Sequence, residues 1–385
     1  MKRNTGNNIK RIIVSVTNDL VTDNRVHKVC TTLQDSGYNV LLTGRRTKTS
    51  ENIKRPYAIK RFKLLFNKSA LFYAEYNIRL FFFLLFVRAD IFLSNDTDTL
   101  PANYLAARIR SKHLVFDAHE LFPEVPELSE RPAVKKIWTK IENKIFPHLK
   151  NSYTVCQSIS DEYYKKYGIK MEVVRNIPYA KTPAKEPSPK VKNIIDDIEK
   201  QKQKGKKIII YQGAVNIGRG IEHIIKAMPL LPDFIFYVIG CGDIIDKLKT
   251  ILTSNDSDTT NGFHTSEQVI FTGKIPADEL QYITEKADVG VNILENKGLN
   301  YYYSLPNRIF DYMRANIPVV STDFPEIRSI VEKYNAGVLI TDYSPKELSK
   351  AIIQAIENKK QIKNDLSWES ESEKIIKIFH TLASS

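Results

Sequence analysis

Residues 304–322 read Ser-Leu-Pro-Asn-Arg-Ile-Phe-Asp-Tyr-Met-Arg-Ala-Asn-Ile-Pro-Val-Val-Ser-Thr. Ser304 can cap a helix and Pro306 fits only its first turn, so the spacing predicts a helix whose opening turns carry Asn307, Arg308 and Asp311. A short apolar strand follows from Pro318. A helix start offers unpaired N–H groups and the positive end of a dipole, and Arg308 adds a guanidinium, so the place suits a phosphate. Asp311, one turn on, can accept hydrogen bonds from two vicinal hydroxyls, and phosphate plus ribose is the handle of a nucleotide. The plain alternative is an ordinary amphipathic helix with Leu305, Ile309, Tyr312 and Met313 packed inward.

The same alternation of strand and helix extends in both directions. After residue 207, strands are predicted at 207–212, 234–240, 268–272, 289–294, 318–321 and 337–340. In the first half they are predicted at 11–17, 38–43, 59–64, 91–94, 113–117, 152–156 and 172–175, with a helix at 24–36 ending at Gly37. This is the pattern of an α/β protein with two doubly wound, Rossmann-like parallel sheets. Pro183, Pro187 and Pro189, followed by a stretch rich in Lys and Gln, break the pattern. The division is therefore 1–178, a linker at 179–206, 207–366, and a last helical segment at 367–385; 255–264 reads as a polar loop.

In such sheets ligands sit at the carboxyl ends of the strands. In the first half those ends carry Asn24, Arg25, Asp96, His119 and Glu120. In the second half Gln212-Gly213 ends a strand, Arg219-Gly220 opens the next helix, and Gly240-Cys241-Gly242 makes an equivalent turn. Gly-x-Gly without a third glycine is a weak dinucleotide sign, and each glycine has a structural turn as its alternative.

Composition bounds the rest. Cys30, Cys156 and Cys241 lie too far apart for a disulfide framework or a metal cluster, which points to a reducing compartment. The apolar run at 12–16 is too short for a signal-peptide core, so the expectation is a cytoplasmic protein. The run at 80–87 falls short of the ~20 residues of a spanning helix and reads as a buried helix, with a helix dipping into a membrane surface left open.

The formal charge is +13 and is unevenly placed. Residues 1–180 hold 30 Lys and Arg against 17 Asp and Glu, while the remainder has 27 of each. That asymmetry points to an anionic partner for the first half alone. Lys136, Lys140 and Lys144 fall four apart on a helix predicted at 132–147. They form either a solvated outer face or a surface turned to a membrane or a polyphosphate. Asp96-Thr97-Asp98 has the look of a metal-binding Asp-x-Asp, but without further ligands a polar loop or an acceptor contact is the better reading.

Taken together these motifs resemble the GT-B glycosyltransferases of family four, over nearly the whole chain. The block from Leu305 to Met313 with Pro318-Val319-Val320-Ser321-Thr322 and Pro325-Glu326-Ile327 resembles that family's donor site. Gly213 through Arg219-Gly220 is similar to its phosphate-gripping segment, and Asp117-Ala118-His119-Glu120 to the segment at the acceptor side of its cleft. Ser367-Trp368-Glu369 resembles the start of its C-terminal helix, which in that fold crosses back to the first domain.

The resemblance implies a retaining, hexosyltransferase-like enzyme that moves a sugar from a nucleoside-diphosphate sugar to a glycan or lipid-linked acceptor. It implies no metal or other cofactor and no nucleic acid, and a place in polysaccharide or glycolipid synthesis, peripheral at the inner face of a cell membrane. By it, His119, Arg219 and Arg308 are catalytic, the two arginines neutralising the leaving diphosphate and His119 bonding the transferred sugar. Gly213, Gly240, Asn307, Asp311 and Glu295 contact the donor. Asn24, Arg25, Asp96 and Glu120 lie on the acceptor side, while the placement of charge, not the resemblance, is what turns Lys136, Lys140 and Lys144 toward a membrane.

The chain departs from the family where a first glutamate is usual eight residues before Asp311. Tyr303 stands there, and Glu295 substitutes only if 296–303 fold back. Ala214 follows Gly213 where the family often has Arg. Two other classes are weighed. A nicotinamide dehydrogenase would need a Gly-x-Gly-x-x-Gly that neither half supplies, and a non-catalytic nucleotide- or polyanion-binding protein needs a gathered basic face.

Overall fold

The computed structural model describes residues 10–384 apart from 22, 126–127, 129–130, 181–185, 258–264 and 363–364, and the side chains of 254–257 are likewise left aside. Pro183 of the expected linker and most of the expected polar loop lie outside the described residues. The chain forms two compact units, Met1–Asn176 with Glu369–Ser385, and Ile177–Trp368.

The first unit is built on β1 (Arg11–Asp19), β2 (Asn39–Arg46), β3 (Ala58–Lys63), β4 (Ile91–Asn95), β5 (His113–Ala118), β6 (Asn151–Thr154) and β7 (Glu172–Val173). They pair in the order β3-β2-β1-β4-β5-β6-β7, every ladder parallel. β4 is buried along its whole length, as a central strand covered on both faces must be. Its helices are α1 (Asn24–Asp35), α2 (Ser69–Phe86), α3 (Asp96–Arg110), α4 (Pro132–Ile145) and α5 (Gln157–Tyr167). Asp23 caps α1 by accepting from the Val26 amide at 3.0 Å. Asp96 in the first turn of α3, with Arg108 and Arg110 in its last, complements the helix dipole.

The buried-helix expectation for the apolar run holds for one face of α2 only. Phe72, Tyr76, Leu80 and Leu84, four apart, enter the core beside Phe92 and Ala106, while Leu71, Ile78, Phe82 and Phe86 stand exposed. By length and composition α2 could cross a membrane, with 18 residues at a mean hydropathy of 1.2. Its inner stripe instead makes it a layer helix of this unit.

The second unit pairs β8 (Lys207–Gln212), β9 (Phe234–Ile239), β10 (Val269–Gly273), β11 (Val289–Asn292), β12 (Val319–Thr322) and β13 (Gly337–Ile340) in the order β10-β9-β8-β11-β12-β13, again all parallel. The segment read as a linker is in large part structure: α6 (Pro189–Gln203) buries Val191 and Ile198 in the core of this unit. A Lys/Gln-rich helix has so few apolar residues that its fully buried stripe is reduced to this valine and isoleucine, which the sequence reading missed. The further helices are α7 (Ile221–Ala227), α8 (Ile245–Ser257), α9 (Leu280–Thr284), α10 (Leu299–Tyr302), α11 (Asn307–Arg314), α12 (Pro325–Tyr334), α13 (Pro345–Glu357) and α14 (Trp368–Ser384).

The body of α14 belongs to the first unit. Glu371 accepts from the Arg175 amide at 2.9 Å, Lys374 donates to the Val173 carbonyl at 2.8 Å, and the Phe379 ring meets Tyr38 edge-on.

Helix α11 is seated by Tyr312, whose hydroxyl donates to the Ile210 carbonyl at 3.2 Å from beneath the sheet. The ring lies where a side chain on β11 would be, since a Cβ at Gly290 would come within 2.4 Å of it. Gly290→Ala is expected to cost about 1–3 kcal/mol through overpacking. A urea midpoint equal to that of the wild type would contradict this seating.

Candidate functional site

In the second unit the site residues gather at the carboxyl ends of β8 and β11. Ser304 does not cap α11 as expected. Its hydroxyl donates to the Tyr301 carbonyl and closes α10, and Pro306 is the residue that precedes the first turn of α11. Arg308 therefore leaves the first turn of α11 directly, almost fully buried, with its guanidinium 4.3 Å above the Tyr211 ring. Its Nη1 is buried and has no hydrogen-bond partner. Arg219, in the loop before α7, lies 5.0 Å over the Tyr301 ring, and its Nε is likewise buried and unpartnered. A buried donor left unmade costs about 1–3 kcal/mol, more when charged. Two rigidly held cations with orphaned donors are a receptor for an anion.

The glycines let backbone crowd against these groups. A Cβ on Gly213, which has φ +130°, would stand 3.0 Å from the Arg308 Nη2. On Gly240 it would meet the Gly213 carbonyl oxygen at 1.8 Å, so the two turns are packed on one another and Gly240 acts through Gly213.

Asp311 sits one turn after Arg308, part exposed, and accepts from Gln212 Nε2 at 3.0 Å. Thr284 donates to Gln212 Oε1 at 2.8 Å, which fixes the amide so that its NH₂ faces the carboxylate. Asn307 is exposed at the start of the same helix. Glu295 is not carried into the place of the missing carboxylate. Its amide bonds to the Gly218 carbonyl at 3.0 Å, and its carboxylate is taken by His223 and Lys297, each at 3.0 Å. Burial pulls its pKa up, and the bonds from Lys297 and His223 outweigh that and hold it below the ordinary value. Tyr211, Gln212, Tyr301, His223 and Lys297 were not singled out from the sequence as site residues. The signal for the first two is their place in the last two positions of β8.

In the first unit the carboxyl ends of β4 and β5 hold an ion cluster. Arg25, expected to face the acceptor, is buried and donates to both oxygens of Asp117, at 2.8 and 3.2 Å, and to the Val174 carbonyl at 3.0 Å. It is a positioning group. His119 is bridged between two carboxylates, Nε2 to Asp117 and Nδ1 to Asp96, both at 3.1 Å. Both ring nitrogens of His119, the residue expected to bond the transferred sugar, are thus paired within the unit, and the ring holds Asp96 in place.

Burial opposes its charge, and the two carboxylates outweigh it and raise the His119 pKa well above the ordinary value. Asp117, which burial alone would push up, is held down to about 2 by Arg25 and His119. The Asp96-Thr97-Asp98 run is not a polar loop but the start of α3, with Asp96 at φ +56° and Thr97 and Asp98 buried. Burial and the Asp96 charge raise Asp98 to about 8, so it is protonated at neutral pH. Asp96 and Glu120 keep partial exposure and Asn24 is exposed. Lys136, Lys140 and Lys144 all face outward on α4. Among the described residues no three His, Cys, Asp or Glu are placed to hold a metal ion.

Residues 193–371 match the family model described as Glycosyl transferases group 1, and residues 23–179 the one described as Glycosyltransferase Family 4. An uncharacterized glycosyltransferase of Methanocaldococcus jannaschii is 26% identical over 211 residues, covering 50% of this chain and 50% of the relative. In that match the chain spans about half the length of the curated relative. Sucrose-phosphate synthase from Thermosynechococcus elongatus superposes with a TM-score of 0.74 at 15% identity, covering 98% of this chain and 100% of that one. HepE of Anabaena, solved in complex with UDP-glucose, does so with 0.70 at 14% identity, covering 97% and 98%. At such identities the likeness to both structures is one of fold.

The His119 clamp carries a pH signature. A raised histidine pKa adds stability that is fully present below the ordinary imidazole value and is lost as pH rises through the raised one. His119→Ala is therefore expected to lower stability by about 1.5–3 kcal/mol at neutral pH, with the gap to the wild type closing in alkaline solution. Urea unfolding across that range tests it, and a gap that stays constant would mean the ring is neutral in the fold.

Proposed function

Because the chain belongs to the glycosyltransferases of family four, we propose that it transfers a sugar from a nucleoside-diphosphate sugar to an acceptor hydroxyl, with retention at the anomeric carbon. The observation that carries this reading is the pair of aromatic-backed arginines, Arg219 and Arg308, each with a buried nitrogen awaiting an acceptor. As the bond from the anomeric carbon to the diphosphate breaks, its electron pair passes to the phosphate oxygen, where negative charge grows. Fixed cations stabilise that charge most, because they are already in place when it forms. The acceptor oxygen bonds the same carbon, and its proton is released.

Asp311, oriented by Gln212 at 3.0 Å and with Arg314 3.8 Å from its other oxygen, takes the ribose hydroxyls at its part-exposed edge, Gly213 brings backbone to the phosphates, and Asn307 lies at the same helix start. The presence of UDP-glucose in the HepE structure supports a nucleoside-diphosphate sugar here. With two guanidinium groups supplying the counter-charge, the reading needs no bound metal. Glu295, tied to His223 and Lys297, supports the phosphate loop through Gly218 rather than the sugar.

The acceptor is read onto the first unit, where Asp96, positioned by His119, and Glu120 are the exposed carboxylates. The surplus charge of residues 1–180 and the outward lysines of α4 support an acceptor borne on an anionic membrane, as in polysaccharide or glycolipid synthesis at the inner face of a cell membrane.

Hydrolysis of a panel of nucleotide sugars without acceptor identifies the donor. With that donor, Arg219→Ala and Arg308→Ala are each expected to lower turnover by a loss on the order of 2–4 kcal/mol in transition-state stabilisation, the fold remaining intact. Wild-type turnover in both variants would remove the donor-site assignment.

A further inference from the structure

At the amino ends of β5 and β6, the ends opposite to Asp96 and His119, the first unit has a cavity of about 500 Å³. Its wall is cationic: Arg108 from the last turn of α3, Lys112 and His113 at the entry to β5, and His148 and Lys150 between α4 and β6. Tyr104 stacks on His148 at 6.3 Å and stiffens that side. No acid lines it. Asp90 lies beyond, 3.7 Å from Lys112, and already accepts from the Arg11 amide. Arg108 and Lys150 are exposed and make no ion pair among the described residues. Arg108 and Lys150, with Lys112 only partly offset by Asp90, line one cavity that holds no acid of its own, so the arrangement favours an anion inside it.

The cavity adjoins apolar surface. Leu105 and Ile109 share with Arg108 one face of α3, and they are 49% and 63% exposed. Beside them run Ile78, Phe82 and Phe86 on the outer face of α2, each more than half exposed. The two helices are fixed side by side, Asn77 donating to the Asp98 carbonyl at 2.8 Å near one end and Arg110 to the Val87 carbonyl at 2.7 Å at the other. Five large exposed apolar side chains on two adjoining helices, one of which also lines the basic cavity, are unusual on a protein that only meets water.

We propose that this surface binds an anionic phospholipid, the phosphate headgroup entering the basic cavity and the acyl chains lying against Ile78, Phe82, Phe86, Leu105 and Ile109. A soluble anion would need the cavity but not the strip. A protein partner would use the strip but has no need of an open cationic recess beside it. Only an amphiphile with an anionic head satisfies both. The inference deepens the membrane part of the function proposed above and rests on it, but it moves the docking surface from the lysine stripe of α4 to α2 and the end of α3. The cavity lies away from the sugar-transfer residues of its own sheet, so lipid binding and donor chemistry are separable.

The test is flotation of the full chain with phosphatidylcholine vesicles, with and without phosphatidylglycerol, in low salt. Wild type is expected to float only with phosphatidylglycerol and to be released by salt. Arg108→Glu with Lys150→Glu, and separately Phe82→Ser with Phe86→Ser, are each expected to lower the bound fraction at least about tenfold. Thermal midpoints and nucleoside-diphosphate binding should match the wild type in both. Lys136→Glu with Lys140→Glu and Lys144→Glu should have the smaller effect. If the stripe variant loses binding and the cavity and strip variants keep it, the proposed surface is wrong while the membrane reading stands. If wild type stays unbound, both fall. If soluble glycerol phosphate protects the cavity against heat equally in wild type and strip variant, the ligand is a free anion and the lipid assignment is overturned.

Discussion

The guanidinium of Arg308, stacked on Tyr211 with one nitrogen buried and unbonded, is the group on which the second unit's architecture converges. Holding an unpaired charge inside a fold is expensive, and it persists only where the surroundings over-determine it. Tyr211 is the penultimate residue of β8, Tyr312 locks α11 against the sheet, and Gly290 clears the space for that lock. Gly213 is close enough to Arg308 that a side chain there would press on the guanidinium. Remove any of these and the cation either collapses onto protein acceptors or swings into water. In both cases it loses the preorganisation that the proposed role toward a departing diphosphate requires.

The first unit solves its charge problem in the opposite way. Arg25, Asp117, His119 and Asp96 form a chain in which every charge is met by its neighbour, and the only surplus is the part-exposed edge of Asp96. Such a network has little affinity for a further anion and instead presents hydrogen-bond acceptors, the chemistry suited to the hydroxyls of an acceptor sugar. Its net positive charge lies elsewhere, on the outer helical layer and at the far ends of the strands. The two tasks proposed for the unit, holding hydroxyls and attracting an anionic surface, would thus fall to different ends of one sheet.

The sheets were legible because parallel strands buried on both faces leave short unbroken apolar runs, as at 234–240, and the polar or short strands β3, β6 and β7 were placed by the alternation around them. Helix α6 was not, since its buried stripe is two residues wide and its prolines read as a linker. Arg219, Arg308 and Asp311 were legible from their places at a strand's end and a helix's first turns. The occupation of His119 by Asp96 and Asp117 was not, because it joins β4 to β5 across the sheet. For the same reason Glu295 looked available: its partner His223 lies far back in sequence, and only the fold brings them to 3.0 Å. The choice between a buried and a surface helix at 80–87 was left open because composition reports how apolar a helix is and not how much of it finds a partner, and α2 proves to have one face of each kind.

The central claim is that the paired arginines grip two phosphates. Calorimetric titration of the protein with a nucleoside diphosphate and with the corresponding monophosphate tests it most directly. The account predicts clearly tighter binding of the diphosphate, weakening as salt is raised. Equal affinity for the two, or binding of neither across the common bases, would contradict it.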